Sequence, residues 1–354
     1  MNKLCFSVVE PRSETIPQPT ETKGIGGARY VRYGEDNNYP NYLLDCYEQC
    51  ATLQSIINGT SDYIAGAGFV GDAEMIVNEK GETYAYVVGK AVVDYLIYGA
   101  FSIGVRRNKN KEIRYLDYHD VRCIRLSEDG ETAFYCKDWT KAAKNIVTIP
   151  VYKRNDVAAD RYELYYKHPA SRGVYGRPMW ASCTKDVRTS IEISTFHLSS
   201  IINNFVPSAI VNFNNGQPDE ETQKDIEKRL NDKFSGATKA ARLLVAWNDT
   251  KDHAVDIQRL SEDNFDQRYQ ALAKSTKENI FIAFRAHPQL FGADPERTGF
   301  NSVEYQQTFQ LFKRTVVEPL QTQIEGAFAT LGDRFRFTFN EFTITFTAEE
   351  GEEV

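Results

Sequence analysis

The chain has 354 residues, 42% of them hydrophobic and 26% charged, with a formal net charge of −7 and a pI near 5.5. These are the proportions of a folded, water-soluble protein. The acidic balance argues against a binder that grips nucleic acid through a strongly basic surface, while leaving room for a protein past which nucleic acid slides. The length admits two domains, or one elongated domain with insertions. No stretch approaches the ~18 apolar residues of a membrane helix, and MNKLCFSVVEPRSE lacks the apolar core and cleavage site of a signal peptide. Of the six cysteines, Cys46 and Cys50 lie one helical turn apart, a poor disulfide spacing, and no CxxC pair has zinc-type His spacing. Reduced thiols and a cytoplasmic origin are the expectation.

Residues 1–32 carry prolines, Ser/Thr and the cluster Gly24, Gly26 and Gly27, and read as an arm with no core element. YGEDNNYP leads into a helix after Pro40, with Leu43, Tyr47, Cys50, Ile57 and Ile64 on its buried face, ending at Gly66 and Gly68. A second helix runs from about Glu82 to Tyr98. Then AFSIGVRR and EIRYLDY around NKNK, and DVRCIRLS and TAFYCKDW around EDGE, read as β-hairpins, followed by strands NIVTIPVYK and RYELYYKH. The hairpin tip with Arg106, Arg107, Lys109 and Lys111 is either a solvated end or a partner contact. Residues 33–179 form a mixed α+β region.

A helix from Trp180 to Phe205 follows, with Val187, Ile191, Thr195, Leu198 and Ile202 on one face and Pro207 at its end. Residues 208–260 read as a small module: strand SAIVNF, a short helix opened by Pro218, Asp219, Glu220 and Glu221, and strands ARLLVAW and AVDIQRL. Two long helical patterns then dominate Ser261 to Leu331, joined by ADPERTG. Phe265, Tyr269, Leu272, Thr276, Ile280 and Phe284 line one helix; Tyr305, Phe309, Phe312, Val316, Leu320, Ile324 and Phe328 line the other. From Asp263 to Arg285 the first spans roughly 35 Å. Pro319 predicts a kink or junction near Glu318. RFRFTFNEFTITFTA is strand-patterned, and an acidic tail runs from Glu349 to Val354.

Motifs that carry chemistry are scarce. There is no GxxxxGKS/T phosphate loop, no HExxH and no GxSxG elbow. The five histidines, His119, His168, His197, His253 and His287, stand singly. His197 reads as a packed helical residue, and His119, between Tyr118 and Asp120, is the one candidate acid/base group. No paired acidic residues show metal-ligand spacing.

The order of elements resembles the portal proteins of tailed bacteriophages and prophages. The resemblance spans about Tyr33 to Leu331. It is carried by NNYPNYLLDCYEQCATLQSIINGTSDYIAGAGF, GAFSIGVRRNKNKEIRYLDYHDVRCIRL and, most specifically, IFIAFRAHPQLFGADPERTGFNSVEYQQTFQLFKRTVVEPLQTQIE. It implies an α+β, elongated subunit: a mixed α/β wing (33–179), a two-helix stem (180–207 and 261–292), a small α/β clip (208–260) and a long kinked helix (301–331) returning to the wing. Residues 332–354 would be a β strip and acidic tail, with the family's helical crown small or absent. The implied function is a ring, usually of about twelve subunits, at one capsid vertex of the virion, assembled in the host bacterial cytoplasm. Double-stranded DNA, driven by the terminase large subunit, would enter and leave through it. A head–tail adaptor and the major capsid protein or scaffold are further implied partners; no membrane, cofactor, metal or catalytic residue is implied.

Residues 293–300 would be the tunnel loop at the narrowest part of the channel, placing Asp294, Glu296, Arg297, Thr298 and the adjoining Asn301 next to DNA. Arg297 is the candidate phosphate contact, tempered by Asp294 and Glu296; a local pair with Glu296 is the competing reading. Asp219, Glu220, Glu221, Lys224 and Lys228 would face terminase or adaptor. A packaging-associated nuclease, which needs a Mg²⁺-binding carboxylate cluster, and an adaptor without DNA contact are the alternatives.

Overall fold

In the computed structural model the chain divides into two units, Met1–Val187 with Glu278–Val354, and Arg188–Lys277. The structure describes residues 16–23, 29–139, 145–202, 209–213, 221–222, 224–226, 243–247, 265–292 and 302–343. The architecture is a mixture of helices and mostly antiparallel sheets, as the α+β reading expects.

The larger unit begins with a correction. The N-terminal arm contributes β1 (Glu21–Lys23), antiparallel to β2 (Val31–Tyr33). Glu21 accepts hydrogen bonds from the amides of Val174 (2.7 Å) and Tyr175 (3.2 Å), long-range partners that prolines and threonines nearby in sequence do not signal. The helix expected as one piece is two, α1 (Tyr39–Gln49) and α2 (Ala51–Ala65). Between them Cys50 is extended (φ −100°, ψ 103°), while its amide still donates to the Cys46 carbonyl. No glycine or proline marks this break. Both helices pack against α3 (Tyr84–Tyr98), and that tertiary demand overrides local propensity. After α2, Gly68 (φ 72°) turns the chain into the two-residue β3 (Phe69–Val70).

Thr83 caps α3 by accepting from the Tyr86 amide, and Gly99 ends it in the left-handed region. Gly99 is required twice over: φ is 68°, and an added Cβ would sit 2.1 Å from the Arg177 carbonyl oxygen. The chain then enters β4 (Ala100–Arg107), which hairpins with β5 (Ile113–His119); β6 (Ile124–Leu126), β7 (Thr132–Tyr135) and β8 (Val147–Pro150) form a separate antiparallel sheet. β9 (Arg161–Lys167) leaves β8 and returns to the free edge of β4, giving the order β5-β4-β9. Val105 lies between Leu116 and Tyr162 across this sheet. Phe101, Ile103 and Val105 are buried, as are Val87, Val88, Ala91 and Val92 of the packed helix α3.

A 3-10 turn (Met179–Cys183) precedes α4 (Thr184–Ile202). Trp180 there is fully buried, and its indole N–H donates to the Leu96 carbonyl (3.1 Å). Of the face expected on this helix, Val187 and Ile191 are buried, whereas Thr195 and Leu198 are exposed. In the smaller unit β10 (Ala209–Phe213) and β11 (Leu243–Trp247) pair in parallel, which requires a crossover between them. The third expected strand, AVDIQRL, lies outside the described residues. α5 (Phe265–Phe284) brings Tyr269 against Phe196 of α4 at 5.2 Å, within this unit. Of its expected stripe, Thr276, Ile280 and Phe284 are buried and Leu272 is exposed.

The last long helical stretch is α6 (Ser302–Phe312), a π-helical turn (Lys313–Val317) and α7 (Glu318–Ala329). Pro319 removes the donor for the Thr315 carbonyl and pushes its ring toward that turn; widening the turn just upstream accommodates it. Phe309, Phe312, Val316, Leu320, Ile324 and Phe328 are all buried, as their spacing predicts. The strand-patterned C-terminal segment forms only the two-residue β12 (Thr338–Phe339), paired with β3. Its alternation survives: Phe335, Phe337 and Phe339 are buried, while Arg336 and Thr338 are exposed. Tyr84 gathers them, with ring centroids 5.9 Å from Phe335 and 5.7 Å from Phe337 and its hydroxyl donating to the Phe335 carbonyl (2.6 Å).

Two buried polar groups tie these layers together. Arg125 is 1% exposed, and its Nε and Nη2 donate to Asn37 Oδ1 (2.7 Å) and the Asn37 carbonyl (2.6 Å). Its Nη1 donates to the Ile124 carbonyl (2.7 Å), and the guanidinium lies over Trp139. Burial lowers its pKa from the ordinary arginine value. Asn37 sits at φ 63° and also accepts from the Tyr33 amide, so the turn before α1 is shaped around this side chain. On the β4 sheet, the fully buried Glu163 carboxylate accepts from Ser102 Oγ (2.6 Å) and pairs with His119 Nδ1 (2.8 Å). The imidazole lies over Gly104, where an added Cβ would come within 2.5 Å of it.

Arg125→Ala leaves the buried Asn37 carbonyl without its side-chain donor and Asn37 Oδ1 with the Tyr33 amide alone, and is expected to cost on the order of 3 kcal/mol, read as a lowered Tm; Arg125→Lys, lacking the planar fork, restores little of it. For His119, burial lowers the pKa, but the hydrogen bond and charge of Glu163 outweigh burial and leave it raised above 6.5. A raised folded-state pKa means stabilisation that is complete below the unfolded value and lost as pH rises through the folded one. The Tm difference between the native chain and His119→Gln is therefore expected to be largest near pH 5.5 and to shrink by pH 8.5.

Candidate functional site

The segment singled out by sequence as the working loop is flanked by two strongly held anchors. On the incoming side α5 ends with Arg285 in the left-handed region (φ 53°), and the Ala286 amide donates back to the Phe281 carbonyl (3.0 Å), closing the helix as a Schellman-type stop. His287 caps the next turn by accepting from the Gln289 amide, Pro288–Phe291 form a 3-10 turn, and Gly292 ends it at φ 66°. Leu290 is buried. On the outgoing side α6 starts at Ser302 and buries Phe309 and Phe312.

Tyr63 of α2 joins both sides. Its hydroxyl donates to the Leu290 carbonyl (2.8 Å), and its ring lies 5.9 Å from Phe291, 5.4 Å from Phe309 and 5.9 Å from Phe312. Phe342 completes the cluster at 5.3 Å. Phe291 fits against Gly59, where an added Cβ would meet its ring at 2.8 Å. Sequence reading did not select Tyr63 or Gly59. A glycine in the middle of an apolar helical pattern was the available signal, since such a glycine marks close approach of another element.

The residues expected in the channel, Asp294, Glu296, Arg297, Thr298 and Asn301, lie outside the described residues, as do Asp219, Glu220 and Lys228 of the proposed contact surface. Glu221 and Lys224 are described: both are helical and exposed. Two of the four cations at the basic hairpin tip are paired with carboxylates. Arg106 pairs with Asp117 (2.9 Å) and Glu79 (3.4 Å), and Lys111 with Asp160 (2.7 Å).

His119, the one candidate acid/base group, is committed through Nδ1 to the buried Glu163. Asp94, buried on α3, accepts from the Tyr118 hydroxyl (2.9 Å), and burial followed by the nearby Asp120 charge holds its carboxyl well above the usual range. His197 is exposed, with its ring 5.6 Å from Tyr269. Cys46, Cys50, Cys136 and Cys183 are buried, Cys123 is partly buried, and none of these five forms a disulfide. Among the described residues no group of three or more His, Cys, Asp or Glu side chains is placed to hold a metal, and no helix is long and apolar enough to cross a membrane. The described chain is held on both sides of residues 293–301, and among the described residues no reactive groups converge on a common atom.

No curated protein matches the chain. Among solved structures, it is similar to a chain of the virion of a native gene transfer agent particle, with 16% identity, a TM-score of 0.58, and coverage of 89% of this chain and 86% of that one. A chain from the neck of a native gene transfer agent particle, computed with C12 symmetry, matches with 15% identity, a TM-score of 0.55 and 84% coverage of each chain. An HK97-family phage portal protein from Corynebacterium diphtheriae matches at 11% identity and a TM-score of 0.52, over 84% of this chain and 95% of that one. At these identities the likenesses establish the fold. The phage portal protein family model matches residues 78–349, most of the chain, and includes both anchors of the loop. The chain belongs to the phage portal protein family.

Proposed function

We propose that the protein assembles into a closed ring at one capsid vertex, where it is the conduit for DNA packaging and ejection. The observation that carries this reading is the portal family match over residues 78–349. The similarity to a chain from a particle neck computed with C12 symmetry supports a ring of many copies. A cyclic ring repeats each subunit's loop around one axis, so a feature modest in one copy becomes a collar in the assembly.

In this reading residues 33–179 form the outward wing, 180–207 and 261–292 the stem, 208–260 the clip, and 301–331 the helix returning to the wing. The tunnel loop, residues 293–300, constricts the channel. Arg297 touches phosphates of the passing duplex, and Asp294 and Glu296 beside it keep that hold weak. Thr298 and Asn301 add neutral polar surface. Weak contact suits a conduit: each guanidinium bound to a phosphate adds salt-dependent affinity, and a tight grip would oppose movement. The chain's net charge of −7 is consistent with that requirement. Asp219, Glu220, Glu221, Lys224 and Lys228 meet the terminase large subunit during DNA loading and a head–tail adaptor afterwards, while the wing meets the capsid protein. The portal performs no chemical step, since terminase supplies the force. It is assembled in the host bacterial cytoplasm and retained in the virion.

The anchoring geometry gives the loop a defined base. Tyr63, Phe291, Phe309 and Phe312 hold its two ends within one aromatic cluster, so load on the loop is carried by the core of the larger unit.

Electron microscopy of the purified protein is expected to show rings with an axial hole; a stable compact monomer with metal-dependent DNA cleavage would overturn the reading. Arg297→Ala, and deletion of residues 294–299, are expected to reduce DNA packaging or retention in assembled particles without preventing ring formation. Unchanged packaging and retention would remove the loop from the mechanism. Tyr63→Phe loses one hydrogen bond and is expected to cost about 1 kcal/mol, whereas Tyr63→Ala opens the cluster and costs about 3–5 kcal/mol; chemical denaturation measures both. Hydrogen exchange in the Pro288–Phe291 turn should rise in both variants.

A further inference from the structure

The hairpin of β6 and β7 brings two cysteines face to face. Ile124 lies opposite Tyr135, which puts Cys123 opposite Cys136 at the next step out, and the Cys136 amide donates to the Cys123 carbonyl (2.9 Å). Opposed residues on neighbouring strands project to the same side of a sheet. In a hydrogen-bonded pair their Cα atoms stand about 5.5 Å apart, inside the ~4.4–6.8 Å that a disulfide bridges. The sulfurs also turn toward one short segment. Cys136 Sγ donates to the Asp138 carbonyl (3.3 Å), and Cys123 Sγ lies 4.0 Å from the Lys137 carbonyl oxygen. The Cys123 amide donates to the Asp120 carbonyl (2.9 Å), so the ladder ends here and the two strand ends have room to close up.

The two thiols differ in access. Cys123 is partly buried, whereas Cys136 is 5% exposed. A small disulfide in solution therefore reaches Cys123 first. Burial, followed by the Asp120 charge, pushes the Cys123 thiol up to about 11, so thiolate is scarce at neutral pH and the first step is slow. Cys46 and Cys50 lie close enough to Cys183 for their charges to raise its pKa. All three are at most 4% exposed, which shields them from the same reagent.

We propose that Cys123 and Cys136 form a disulfide, by exchange with a low-molecular-weight disulfide, once the protein leaves a reducing cytoplasm. The Cys123 thiolate attacks one sulfur of the reagent, breaking its S–S bond and releasing one thiolate. The Cys136 thiolate then attacks Cys123 Sγ, breaking the mixed disulfide and releasing the second. The two protein thiols lose two protons and two electrons; the reagent takes up both and leaves as two thiols. The bridge closes a loop of about 14 residues, which restricts the unfolded chain. It also pins the hairpin end from which Arg125 reaches Asn37 and lies over Trp139. The setting rests on the conduit reading, in which the chain is assembled inside a reducing cell and then carried out of it in a particle. The chemistry is a property of the single subunit.

The test incubates the reduced full chain with oxidised glutathione for hours, alkylates it, and digests it with trypsin without reduction. Mass spectrometry is expected to find the peptide Cys123–Arg125 joined to Leu126–Lys137, lighter by two hydrogens than the separate peptides. This mapping needs no variant. In Cys136→Ser the reaction is expected to stop at its first step, with a glutathione adduct on Cys123. In Cys123→Ser the folded chain is expected to gain neither bridge nor adduct at Cys136. Oxidation should raise the Tm of the native chain by a few degrees and leave both variants unchanged. A glutathione adduct on native Cys123 that never resolves, a bridge among Cys46, Cys50 and Cys183, or no reaction at Cys123 would overturn the proposal. So would a bridge already present in protein alkylated inside the cell. Ring formation by the Cys123→Ser variant, assayed by electron microscopy, reports on the conduit reading separately.

Discussion

One hydroxyl and the rings around it hold together the part of this subunit on which its proposed work depends. Tyr63 reaches from α2 to the Leu290 carbonyl and lies among Phe291, Phe309, Phe312 and Phe342. Four stretches of chain far apart in sequence meet there, and two of them are the two sides of one loop. Aromatic side chains suit this role because each buries a large area with few rotatable bonds, and edge-to-face contacts fix their mutual angles. Gly59 is the counterpart of that bulk, since only its missing side chain lets Phe291 approach α2.

Around this hub the larger unit is stiffened by polar groups that have little contact with water. Arg125 binds carbonyls and an amide oxygen in place of a carboxylate, and thereby fixes the Asn37 turn. Glu163, on β9 beside β4, has Ser102 and His119 as partners. Such groups are costly to bury unless every partner is present, so they disfavour alternative arrangements of the same sheets. For a subunit proposed to bear load around a ring, a single well-defined wing matters more than any reactive side chain. The one histidine that resembled an acid/base candidate serves this structural end.

Much was legible in the sequence because it depends on neighbours in the chain. The period of 3.6 from Phe309 to Phe328 located a buried helical stripe, and Pro319 marked where that helix must adjust. Alternation placed β4, β5, β6 and β7 and kept Phe335, Phe337 and Phe339 on one side even where the strand itself shrank to two residues. The order of those elements was enough to suggest the portal family, which the match over residues 78–349 then established.

What only the tertiary structure decided involves partners distant in sequence. The break at Cys50 has no local breaker; it exists because α1 and α2 both pack on α3. β9 leaves β8 for the far edge of β4, a choice among sheet edges that alternation does not encode. Glu21 looked like part of a loose arm until its carboxylate met the amides of Val174 and Tyr175. Tyr63 was one apolar residue among many until the fold brought Leu290 to its hydroxyl. Periodicity reports which face of an element is buried, because that follows from backbone geometry. It is silent on which distant group lies against that face, because that is settled by the free energy of the whole assembled core.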